Sequence, residues 1–201
     1  MELITLGILA LAAGLGGAAA RVVARRRRAK KIIAPQLPDP QALVAAVDPL
    51  AALPLRLGDV VQCGDATRWP DRGIVVRQDG SLHAAIWLSE EDGEEQATVA
   101  MAPPSHDLLW LVRRPLALPP KAPNRLEIDG MLLDREQCFP AELELRGEVL
   151  EVDEAGVFAL YRGSAGTSAV VLQAGGTFVW YGERIGPGDF DNLGQVERDE
   201  T

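Results

Sequence analysis

A small, mainly β domain of barrel or sandwich type, carried behind one N-terminal transmembrane α-helix, is the architecture this sequence predicts. Three observations carry the prediction. Residues 3–20 form an 18-residue apolar run with no charge and Thr5 as its one polar side chain. After Leu55, short apolar runs bounded by Gly, Asp and Pro recur every 8–14 residues and helical periodicity is scarce, the pattern of a sandwich or barrel. The charge is also divided. Residues 1–54 sum to +4 and residues 55–201 to −13, within a net charge of −9. An acidic domain of that kind repels a phosphate backbone, so nucleic acid is not an expected partner.

The apolar run is close to the roughly 20 residues a helix needs to cross a hydrocarbon core. Val22, Val23 and Ala24 extend it if Arg21 snorkels, placing the helix over residues 1–24. A cleaved signal peptide, and export after cleavage, is the competing reading, since Ala18-Ala19-Ala20 offers a small-residue site. A signal peptide, however, carries its positive charge ahead of the apolar run, and here Met1-Glu2 stands there. The basic residues come afterwards: Arg21, Arg25, Arg26, Arg27, Arg28, Lys30 and Lys31. Basic residues just past a span stay cytoplasmic. The chain is therefore expected in a cell inner membrane, its N-terminus outside and its C-terminal domain in the cytoplasm. The same seven residues are expected to contact anionic lipid headgroups at about 1 kcal/mol each. Small residues four apart (Ala10, Gly14, Ala18) let two such helices approach closely, which makes homo-oligomerisation through the helix an expectation.

Residues 25–54 read as a basic juxtamembrane segment followed by a spacer. Five prolines between positions 32 and 54 exclude a long helix or a central strand. One short helix fits, with Asp39 as N-cap, Pro40 at its first position and residues 41–47 as its body.

The β domain is expected over residues 55–195, either as one unit or as two subdomains, 55–114 and 125–195, of similar length. Its clearest hairpin joins residues 73–77 to 82–88 through Gln78-Asp79-Gly80-Ser81, because Asp-Gly suits a turn with positive φ at both central residues. Alternation puts Leu82, Ala84, Ile86 and Leu88 on one face, opposite His83, Ala85 and Trp87. Further strands are expected at 96–101, 108–112, 141–146, 148–152, 157–162, 168–173 and 177–181. Gly147 is expected to mark a bulge, and Gly163–Gly166 and Gly175-Gly176 turns. Residues 115–124 carry four prolines and interrupt the sheet. Residues 196–201 read as a flexible tail.

Arg56-Leu57-Gly58-Asp59-Val60-Val61 resembles the opening of a bacterial domain-of-unknown-function family, number 4178. Tyr161-Arg162-Gly163, Val170-Val171-Leu172 and Trp180-Tyr181-Gly182-Glu183-Arg184-Ile185 resemble its C-terminal part. Over roughly residues 55–195 the resemblance implies a β-rich domain found beside membrane segments, in a setting of envelope maintenance. It implies no activity.

No motif binds a cofactor or metal. Cys63 and Cys138, 75 positions apart, have no metal-ligand spacing. A hydrolase would need one of them beside His83 or His106, the two histidines, and nothing around them marks an activated nucleophile. The expected function is therefore non-enzymatic: a protein-interaction or adaptor module. Trp180, Tyr181, Glu183 and Arg184 are the expected partner surface, weighed against a core role for the aromatics. The alternative is a sensing module that binds a small ligand between the two β halves.

Overall fold

Three Asp-Gly pairs set the hairpins of this domain. Asp79-Gly80, Asp92-Gly93 and Asp129-Gly130 all hold positive φ at both positions, the geometry of tight hairpin turns whose twist matches the strands they join. The computed structural model describes residues 48–148, 151–186 and 188–195. The expected transmembrane helix, the basic segment from Arg21 to Lys31, the short helix over 41–47 and the tail after 195 lie outside the described residues. No helix among the described residues is long and apolar enough to cross a membrane.

Twelve strands are described: β1 (Asp59–Cys63), β2 (Ala66–Arg68), β3 (Arg72–Gln78), β4 (Ser81–Glu91), β5 (Glu94–Met101), β6 (Leu108–Arg113), β7 (Arg125–Ile128), β8 (Met131–Arg146), β9 (Ala155–Arg162), β10 (Thr167–Gln173), β11 (Thr177–Ile185) and β12 (Asp191–Gln195). One sheet runs β3-β4-β5-β6-β11-β10-β9-β8, and β8 pairs back onto β3. All its pairings are antiparallel, so the eight strands close a barrel. Four strands come from residues 72–113 and four from 131–185. The two meanders meet at two seams, Ile74 opposite Leu145 and Tyr181 opposite Val112. β12, β1 and β2 form a separate small sheet.

An eight-stranded barrel is just wide enough for side chains to fill it. All eight strands contribute to this interior, with Ile74, Ile86, Val99, Leu111, Leu143, Phe158, Val170 and Trp180 at its centre. Apolar residues also face outward and need cover, which two straps supply. Leu53 and Leu55 lie with Val61 of the small sheet over Val75, Ala85, Trp87 and Ala100. The proline-rich stretch brings Leu116, Leu118 and Ala122 over Ala159, Tyr161, Ala169 and Val171.

Each strap is pinned by an outward-facing aromatic on the second strand of the meander it covers. The Trp87 indole N–H donates to the Leu55 carbonyl at 3.1 Å, and the Tyr161 hydroxyl donates to the Pro123 carbonyl at 2.8 Å. Prolines leave a strap short of donors but rich in carbonyls. Gln173 and Arg135 take two more of those carbonyls, at Pro119 (2.8 Å) and Ala122 (2.6 Å). Burial pushes the Tyr161 phenol above its ordinary pKa of 10.

Several expectations change. The stretch 148–152 is no strand where it is described: β8 ends at Arg146 and residues 151–152 are irregular. Gly147 ends the strand instead of bulging it. Its φ is +75°, and a Cβ there would press on the Asp71 carbonyl and the Arg72 Cα. Leu82 leaves the face of Ala84 and Ile86, because the register slips between Val76 and Arg77 and His83 becomes the extra residue. Leu82 joins the outer cluster and the His83 ring turns to Phe139, 4.3 Å between centroids. β7 and residues 131–140 of β8 were not expected as strand. Pro140 lies within β8 because pairing with β7 ends at Asp134 and pairing with β3 begins at Glu142. On that side the missing amide costs no ladder bond.

Candidate functional site

With the barrel interior filled, a cleft of about 460 Å³ opens at one barrel mouth. Asp107, Asp134, Arg135, Glu136, Arg162, Thr167 and Arg184 line it, with Gly163 and Gly166. The strand ends dictate this. β6 begins at Leu108, β9 ends at Arg162, β10 begins at Thr167 and β11 ends at Ile185, so residues distant in sequence converge on one rim.

Arg162 is the hub. Its Nε donates to Glu136 Oε2 at 2.7 Å, its Nη1 to Ser168 Oγ at 2.9 Å, and its Nη2 to Asp107 Oδ2. Ser168 is fully buried, so the guanidinium spans from the barrel wall to solvent. Asp107 is held from behind: its carbonyl accepts the Met101 N–H at 2.9 Å, and its own N–H donates to Ser105 Oγ at 3.3 Å. Its second oxygen faces Arg184 Nη1 at 3.7 Å. On the other side Arg125 Nε donates to Asp134 Oδ1 at 2.8 Å, and Arg135 Nη2 to Asn124 Oδ1 at 2.5 Å. Three arginines and three carboxylates thus line the cleft, and four of them, Glu136, Arg162, Asp107 and Arg184, form a chain of alternating charge. A planar guanidinium with its donors committed in fixed directions is a positioning device, not a proton carrier. The arrangement suits a charged partner with both signs in register.

The expected partner quartet is dispersed. Trp180 is fully buried inside the barrel, its Nε1 donating to Glu95 Oε1 at 3.0 Å. That pair closes the opposite mouth, where Arg113 stands 3.7 Å from Glu95 and over the Phe178 ring at 4.5 Å. Burial lowers the Arg113 pKa, and Glu95 opposes the shift. Tyr181 packs against the outer cluster under the proline-rich strap. Only Glu183 and Arg184 are exposed, and of the four only Arg184 lines the cleft. Sequence reasoning did not find Asp107, Glu136 or Arg162 as a group.

The Cys–His pairings do not form. His83 Nε2 lies 2.6 Å from Gln137 Oε1, while Cys138, the next residue along β8, is exposed and alternates to the outer side near Tyr161. His106 holds φ +51° in the loop before β6, and the neighbouring Asp107 carboxylate is engaged by Arg162 and Arg184. Cys63 is half-buried in the small sheet. No group of three or more His, Cys, Asp or Glu placed to hold a metal occurs among the described residues. No family model, no curated protein and no solved structure matches this chain.

Proposed function

We propose that this chain is a single-pass, inner-membrane adaptor whose acidic β-barrel faces the cytoplasm and receives a protein partner at the charged mouth. The observation that carries the reading is the charge chain Glu136–Arg162–Asp107–Arg184 on the rim of an open cleft. A barrel whose interior is filled recognises other molecules at its surface, and fixed charges of both signs give register and specificity more than raw affinity. The resemblance to the domain-of-unknown-function family 4178 supports a membrane-associated role in envelope maintenance and adds no activity.

The test is a photo-cross-linking side chain at Glu183, beside the cleft, in the full chain in its own membrane, with Glu94 at the opposite mouth as control. The expected result is one discrete adduct from position 183, absent from 94 and lost with Arg184→Glu. No adduct from 183, or equal adducts from both positions, refutes the reading.

The cleft also favours a second reading, sensing of a small polar ligand. Its polar lining and about 460 Å³ match the size of such sites. A ligand-dependent rise in melting temperature, abolished by Arg184→Ala and without any protein adduct at 183, decides for it.

A further inference from the structure

We infer that the slot between the end of β8 and the strap carrying Leu53 and Leu55 is a binding site for a compact apolar carboxylate. The slot holds about 190 Å³ and is lined by Asp48, Leu50, Arg56, Leu57, Trp87 and Arg146. It shares no residue with the charged mouth.

Its floor depends on one glycine. Gly73 of β3 lies opposite Trp87 of β4 on one side and Arg146 of β8 on the other. A Cβ on Gly73 would overlap the Trp87 ring, so glycine lets the indole lie across β3. The indole N–H is already given to the Leu55 carbonyl at 3.1 Å. What Trp87 offers the slot is therefore apolar ring, and Leu50 and Leu57 pack with it in the same outer cluster.

The rim supplies the charge. The Arg56 backbone is fixed on Asp59: its N–H donates to Asp59 Oδ2 at 2.8 Å and its carbonyl accepts the Asp59 N–H at 3.2 Å. Its guanidinium makes no hydrogen bond or ion pair among the described residues. Arg146 donates to Glu144, but that carboxylate also serves Arg77 at 3.4 Å, so one negative charge is divided between two guanidinium groups. Asp48 is the one carboxylate in the lining, and its Oδ1 accepts the Leu50 N–H at 3.0 Å. Two cations against one carboxylate leave the slot positive on a domain carrying −13, whereas the mouth sets three against three.

Neither cation closes the slot. The cation–ring contacts among the described residues belong to Arg68 and Arg113, so the Trp87 ring carries no guanidinium lid. A guanidinium fork matches a carboxylate in two parallel hydrogen bonds, and an apolar floor takes the rest of the ligand. The volume equals that of about six waters at ~30 Å³ each, which suits a single ring or branched chain with its carboxylate.

The experiment uses the full chain in phosphatidylcholine nanodiscs and follows the fluorine NMR line width of 4-fluorophenylacetate, with empty nanodiscs as blank. The parent is expected to broaden the signal saturably, and unlabelled phenylacetate to reverse it. 4-Fluorophenylacetamide, the same shape without the charge, is expected to bind about tenfold more weakly. Arg56→Gln and Arg146→Gln should each weaken carboxylate binding about fivefold, and Arg184→Gln at the mouth should leave it unchanged, all three keeping the near-ultraviolet circular dichroism of the parent. The Arg56 guanidinium holds nothing else among the described residues, so its exchange reads ligand binding and not packing. Broadening no greater than the blank overturns the inference. Equal binding of amide and carboxylate overturns it too, as does binding unchanged in both Arg56→Gln and Arg146→Gln. Loss of binding in Arg184→Gln alone assigns the carboxylate to the mouth, which also overturns it.

Discussion

Gly182→Ala tests the seam that joins the two meanders. Gly182 lies on β11 opposite Leu111 of β6. A Cβ there would fall well inside van der Waals contact with the Trp110 carbonyl oxygen and 3.1 Å from the Leu111 Cα. Both obstacles are backbone, so no rotamer change relieves them, and the strands must part by about 1 Å to restore ordinary contact. Overpacking of this kind costs about 1–3 kcal/mol, and stretching the flanking ladder loses about one further hydrogen bond, near 1 kcal/mol. The expected destabilisation is about 2–4 kcal/mol. With a urea m-value of about 2 kcal/mol/M, the midpoint should fall by roughly 1–2 M. Gly188→Ala is the control: nothing lies within 4 Å of its added Cβ and its φ is not positive, so it should stay within about 0.5 kcal/mol. Equilibrium urea unfolding of the two variants against the parent reads both. A Gly182→Ala midpoint as high as that of Gly188→Ala would refute the β6–β11 pairing as described.

Three further outcomes follow from the packing and the ionisable groups. Phe158→Ala empties the barrel centre beside Phe139 (5.3 Å between ring centroids) and should cost about 3–5 kcal/mol by thermal or urea unfolding. The Tyr161 phenol, followed by phenolate absorbance in a Tyr181→Phe background that leaves it the only tyrosine, should ionise above its ordinary value of 10. Its folded pKa being raised, its contribution to stability is fully present below the unfolded value. It declines as pH rises through the folded value, and a flat stability profile from pH 9 upward in that background would contradict this. A maleimide should label exposed Cys138 faster than half-buried Cys63 in the native protein, as read by mass spectrometry of each site.

Much of the first meander was legible because its signals are local. Asp79-Gly80 announces its own turn, and β3 and β4 alternate cleanly on either side of it until the bulge at His83. The second meander hid its longest strand, since Pro140 argues against a strand wherever neighbours are assumed on both sides. Only the gap between Asp134 and Glu142 in β8's outer pairing makes it acceptable. Alternation assigned Trp87 and Ile86 to opposite faces but could not say which face closes into a barrel, because closure depends on the Ile74–Leu145 and Tyr181–Val112 pairings. Trp180 shows the same limit: its buried seat is fixed by Glu95, 85 positions away. The mouth cleft was illegible for that reason too, since Arg162 meets Asp107 across 55 positions with no local motif at either.

The order in which the strands close has a consequence for biosynthesis. As the chain leaves the ribosome from its N-terminus, β3 to β6 emerge first as a four-stranded ribbon with both outer strands unpaired. β3 waits for residues 142–146 and β6 for residues 180–185, so the β3 edge stays open until midway through the second meander and the β6 edge until almost the whole domain has been made. Open edges on an apolar ribbon recruit other chains. A nascent chain stalled or cleaved between residues 114 and 180 would thus present an aggregation template at β6, which closes only when β11 arrives.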